Sequence, residues 1–73
     1  MPLIEVKMLE EVFTPAQKKE IITKLTDTMV SIEGEKLRPF TVVVMEEVRS
    51  GDWGVGGKTL TSAEAHALAA GRK

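Results

Sequence analysis

The sequence predicts an α+β fold: a β-α-β protomer with parallel strands and a glycine-rich C-terminal loop or hairpin, its sheet buried against another copy. Three observations carry this. Residues 3–9 alternate as a strand, and residues 15–32 repeat apolar side chains at helical spacing behind a helix-start signal. The third is Phe40-Thr41-Val42-Val43-Val44-Met45-Glu46, β-branched and apolar on both faces.

The first strand begins almost at the terminus. Leu3, Glu5, Lys7 and Leu9 point one way; Ile4, Val6 and Met8 point the other and form a wholly apolar face that must be covered. The helix follows a connection, Glu10 to Phe13. Thr14 is placed to cap, Pro15 suits the first helical position, and Gln17 completes a capping box. Ile21, Ile22, Leu25, Met29, Val30 and Ile32 recur near the helical period, and the lysines read as a solvated face. Gly34 stops the helix. A strand, a crossover of about 30 residues and a second strand make a βαβ unit, whose strands run parallel. One helix covers only one face of such a pair, so the apolar second strand implies burial against another copy.

Ser50 to Gly57 is a glycine-dense loop or hairpin around Trp53, the single tryptophan. Thr61 and Glu64 offer a second capping box, and Ala65 to Ala70 reads as a short helix ending at Gly71.

Seventy-three residues make a single domain, 1–73, with a modest core. Oligomerisation is the expected support, because the chain has no cysteine and only one histidine, His66. Disulfides, iron–sulfur clusters and thiolate zinc sites are excluded, and no cofactor is expected. Ten basic and eleven acidic residues give a net charge of −1, without a basic block to engage nucleic acid or an anionic membrane. No apolar run approaches a membrane span and no signal peptide precedes the strand, so a soluble, cytoplasmic protein is expected.

Pro2 is the first candidate for chemistry. A small residue after the initiator invites removal of Met1, which leaves a free secondary amine at Pro2. A free α-amino group titrates at about 7.7–8.0 and a secondary amine higher; burial or nearby cations bring it towards neutrality, where a general base works best. The plain alternative is that Met-Pro simply starts the chain. Trp53 is either an interface anchor or the wall of a ligand pocket. Arg38, before Pro39 at the entrance of the second strand, is either a surface ion pair or a carboxylate partner. Gly57-Lys58-Thr59 invites a phosphate-loop reading, but Asp52 stands where that motif needs glycine, and a turn is the better reading. Glu46 and Glu47 are neighbours in a strand and face opposite ways.

Pro2-Leu3-Ile4, the helix start Thr14 to Lys18, and Glu46 to Gly57 with its aromatic and glycines together resemble the 4-oxalocrotonate tautomerase family, from Pro2 to about Gly57. The resemblance implies dimers assembled into a homohexamer, a trimer of dimers. It implies a cofactor-independent isomerase in which the proline moves a proton between the enol and keto forms of a small 2-hydroxy-alkenoate-type acid. Pro2 matches the catalytic proline, and Trp53 stands where the family has an aromatic walling its pocket. Well-known members carry one arginine before the helix and one in the second strand. This chain has Glu11-Val12-Phe13 and Val42 there, which leaves a dicarboxylate substrate without its usual partners and makes Arg38 the candidate cation. The alternatives are a non-catalytic oligomeric protein, one subunit of a hetero-oligomeric tautomerase, and a proline-dependent hydratase or Schiff-base enzyme.

Overall fold

The computed structural model describes residues 1–71. Strand β1 (Leu3–Leu9) leads into helix α1 (Pro15–Glu33), a 3₁₀ segment (Glu35–Phe40) and strand β2 (Val42–Val48). A hairpin of β3 (Trp53–Val55) and β4 (Lys58–Leu60) follows, then helix α2 (Ser62–Ala69). β1 and β2 pair in parallel, from Leu3 opposite Val42 to Leu9 opposite Val48. The hairpin is a separate two-stranded antiparallel sheet.

The helix begins where the sequence places it. The Thr14 hydroxyl accepts from the Gln17 amide at 3.1 Å, and the Gln17 side chain accepts from the Thr14 amide at 2.9 Å. Two otherwise unpaired donors at the helix start are thereby satisfied. At the other end the amide of Gly34 (φ +106°) donates to the Val30 carbonyl, a backbone geometry that suits glycine. Ile4, Val6 and Met8 are half-buried or buried, as are Val43 and Met45 on β2. The expected alternation is therefore realised, with α1 packed against β2.

Three local expectations are corrected. The second strand starts at Val42, because residues 35–40 coil as a 3₁₀ segment around Pro39. The Thr41 amide donates to the Arg38 carbonyl and the Thr41 hydroxyl to the Leu37 carbonyl, which holds the coil closed. Helix α2 starts at Ser62, a turn before the expected Ala65, because Thr61 caps it by accepting from the Glu64 amide. Lys18 leaves the solvated face and binds Glu47 at 2.7 Å, tying the first turn of α1 to the end of β2. The Gly56-Gly57 turn has φ of +61° and +83°, the two positive angles of the tight turn that matches strand twist.

Among the described residues only Met8, Leu9 and Val30 are buried apolar side chains. The opposite face of the sheet stays open: Leu3 is 58% exposed, Val42 48% and Val44 38%. The radius of gyration is 15.0 Å, whereas a compact domain of this length has about 11 Å. The accessible surface is 5562 Å², against about 4,450 Å² for a compact monomer of this mass.

Glu11 is the one non-glycine residue with positive φ, +62°, among the described residues. It sits in the turn between β1 and α1. Left-handed backbone costs a residue with a Cβ about 1–2 kcal/mol, against about 0.5–1 kcal/mol of extra chain entropy for glycine. Glu11→Gly is therefore expected to raise the melting temperature by a few degrees (about 2–5 °C) at fixed protein concentration in a thermal melt. A fall in melting temperature would show that the Glu11 side chain outweighs its backbone strain.

Candidate active site

Pro2 stands at the head of β1, half-buried. Its carbonyl accepts from the Val42 amide at 3.2 Å, so β2 fixes the backbone that carries the nitrogen. Its immediate surroundings in the sheet are apolar: Leu3 follows it and Val42 faces Leu3 across the ladder.

Trp53 opens β3, half-buried, opposite Leu60. It lies beyond the C-terminal end of β2, whereas Pro2 lies at the N-terminal end of β1. Seven ladder residues separate the two ends, about 20 Å at the usual rise. One protomer therefore does not bring Pro2 and Trp53 together.

Arg38 sits in the 3₁₀ segment rather than at the entrance of a strand, because β2 begins only at Val42. Its Nε donates to Glu35 Oε1 at 2.6 Å, its Nη2 to Glu35 Oε2 at 3.3 Å and its Nη1 to Asp27 at 2.8 Å. The hydrogen bonds it donates to Glu35 and Asp27 hold its proton still more firmly than usual. The same bond from Arg38 keeps the Glu35 carboxyl below its ordinary value. Arg38 is thus engaged by two carboxylates on the helix side.

Glu47 is held below the ordinary carboxyl value of 4.5, first by the hydrogen bond from Lys18, with the charge of Lys18 and the Glu11 amide adding to it. A lowered carboxyl stabilises the fold at pH above its unfolded value, and that stabilisation drains away as pH falls through the folded value. Both Glu35 and Glu47 act in this sense. Urea midpoints are therefore expected to drop as pH falls below about 4.5. Glu47→Gln should flatten part of that drop, and an unchanged pH profile would assign it to other groups.

His66 donates through Nε2 to the Glu11 carbonyl. Further polar contacts gather near it, at the C-terminal end of the sheet, with no sequence signal to announce them. Ser50 and Ser62 both bond to Glu10 there. Among the described residues no three His, Asp or Glu side chains gather as a metal site requires, and no helix is long and apolar enough to cross a membrane.

Comparison with known proteins bears on what such an arrangement does. The family described as tautomerase enzyme matches residues 2–63. A probable tautomerase of Dickeya dadantii (strain 3937) is 34% identical over 61 residues, covering 84% of this chain and 90% of that protein. The crystal structure of YwhB, a homologue of 4-oxalocrotonate tautomerase, superposes with a TM-score of 0.70 at 34% identity, over 80% of this chain and 92% of that one. TomN, a 4-oxalocrotonate tautomerase homologue in the tomaymycin biosynthetic pathway, gives a TM-score of 0.73 at 28% identity, over 93% of this chain and 95% of that one. The β-α-β frame is shared with these structures, and the chain belongs to the 4-oxalocrotonate tautomerase family of isomerases.

Proposed function

We propose that this chain is a cofactor-independent tautomerase acting on a small 2-hydroxy-alkenoate-type acid, with the Pro2 amine as base and then acid. Family membership combined with Pro2 at the head of β1, its carbonyl pinned to Val42, carries this reading. Removal of Met1 frees the nitrogen; with Met1 in place it is an amide with no basic lone pair. The neutral amine takes the proton from the enol hydroxyl. The oxygen lone pair becomes the carbonyl, the carbon–carbon double bond moves, and the same proton is returned to the carbon end. No atom is gained or lost, so the step needs no co-reactant.

Trp53 of a neighbouring copy supplies the apolar wall, since its own protomer holds it at the far end of the sheet. Such a wall excludes water and favours the neutral amine. The working unit is a homohexamer, a trimer of dimers, in the cytoplasm. Arg38 is the carboxylate partner, reached by exchange with Glu35 or Asp27. That exchange makes it a weaker anion site than a free guanidinium.

The test is ketonisation of phenylenolpyruvate by untagged protein whose mass shows Met1 absent. Turnover well above the buffer rate supports the reading. Reductive trapping of a carbonyl compound on Pro2 would instead favour Schiff-base chemistry.

A further inference from the structure

The hairpin that carries Trp53 has three-residue strands and shares no ladder with the main sheet. Two strands this short do not hold a pose by themselves. Outside its own ladder the hairpin makes only sparse contact with the other helices and strands, and so does α2. Its direction must therefore be set at its base.

That base is tied by a closed cycle of hydrogen bonds. The Ser50 amide donates to Glu10 Oε2 at 2.6 Å. The Ser62 amide donates to Ser50 Oγ at 2.9 Å. Ser62 Oγ donates to the Glu10 carbonyl at 2.7 Å. The Glu10 amide donates to the Val48 carbonyl at 2.8 Å, which anchors the cycle to the sheet. The Gly51 amide donates to the Leu60 carbonyl at 3.2 Å and closes the hairpin just above it. Ser62 is the buried polar side chain among the described residues, 6% exposed, and both its amide and its hydroxyl have partners. The cycle joins the end of β1, the exit of β2 and the start of α2. Trp53 is three residues beyond Ser50.

From this geometry we infer that Glu10, Ser50 and Ser62 are positioning residues, which aim the Trp53 hairpin at the active site of a neighbouring copy. This rests on the reading of Trp53 as a pocket wall. The three residues touch no substrate; they act through the hairpin. The Glu10 carboxylate is a charged acceptor for a backbone amide, the stronger kind of hydrogen bond. Removing either side chain leaves a polar group of the cycle without its partner.

Trp53 is the single tryptophan, so its fluorescence reports on the hairpin alone. The experiment compares full-length wild type, Ser62→Ala, Glu10→Ala and Glu10→Gln, with Pro2→Ala as reference, each at unchanged oligomeric mass. Acrylamide quenching of Trp53 and kinetics on phenylenolpyruvate are the readouts. Both alanine variants are expected to raise the quenching constant about twofold and KM about five- to tenfold, with kcat within about twofold. Glu10→Gln keeps an acceptor and should restore most of both. If Ser62→Ala fails to assemble, Glu10→Ala at its half-buried site carries the test. Unchanged quenching in the alanine variants overturns the inference. Increased quenching with unchanged KM overturns it too, because the cycle then aims a hairpin that walls no pocket, while loss of activity in Pro2→Ala leaves the proline reading intact. If wild type turns nothing over, the proposed function fails, and quenching alone decides whether the cycle orients Trp53.

Discussion

Pro2→Ala is expected to lower kcat/KM for enol ketonisation by about a hundredfold or more, with the oligomeric mass and circular dichroism unchanged. General acid–base groups contribute about 10²- to 10⁴-fold. Alanine leaves a free amine at the same place, so a residue of activity above background is expected. Its primary amine lacks the ring that fixes the nitrogen, and the Val42 bond to the carbonyl at 3.2 Å restrains only the other end of the residue. Protein that retains Met1 is a sharper control. Met1 is 88% exposed in the protomer, so retention disturbs no packing within it. The nitrogen changes from amine to amide, and activity should fall to the buffer rate. A pH profile separates this from mere blocking of the pocket. The base works in its neutral form, so kcat/KM should rise with pH through the amine value and level above it. Equal activity with and without Met1 would exclude the Pro2 amine as the base.

Much of this architecture is legible because local signals agree with one another. Thr14, Pro15 and Gln17 start α1 where expected, and both hydrogen bonds of the capping box form. The alternation of Ile4, Val6 and Met8 identifies the face beneath the helix. Paired glycines at 56 and 57 mark the tight turn. What was misread depends on contacts between distant residues or on competition between two local preferences. Phe40 has strand chemistry, yet the 3₁₀ hydrogen bonds of Leu37, Arg38 and Thr41 win over it. That coil also removes Arg38 from the strand and delivers it to Asp27, eleven positions earlier. Lys18 meets Glu47 across 29 positions, and Glu10 meets Ser50 across 40. Neither pair has a spacing that a period of 2 or 3.6 would single out. For the candidate site, the sequence singles out Pro2 and Trp53 as candidates by residue type. Their placement at opposite ends of one protomer is not legible that way, because strand direction sets it and a residue's own chemistry does not.

The largest structural effect is expected from Val44→Asp. Val44 lies mid-strand in β2, opposite Glu5 of β1, on the face that α1 does not cover. It stands with Leu3 and Val42, and together they leave an apolar strip on a chain whose own core is small. The surface exceeds the compact-monomer value by about 1,100 Å². A standard interface takes about 800 Å² from each partner. In the proposed assembly a second copy would cover this face, and a hairpin reaching outward from one protomer would arrive at another protomer's Pro2. An uncompensated buried carboxylate costs about 3–5 kcal/mol, and symmetry repeats that cost in every subunit. Val44→Asp should therefore convert an oligomer to monomer or unfolded chain by light scattering at micromolar concentration. Activity should fall by at least about a hundredfold, although the residue is not part of the proposed machinery. Val44→Ile keeps the face apolar and should keep both mass and activity. A wild-type mass of one protomer, or full activity in dispersed Val44→Asp, would mean that Pro2 works without a neighbour. In that case Trp53, some 20 Å of strand away, could not be the wall of its pocket.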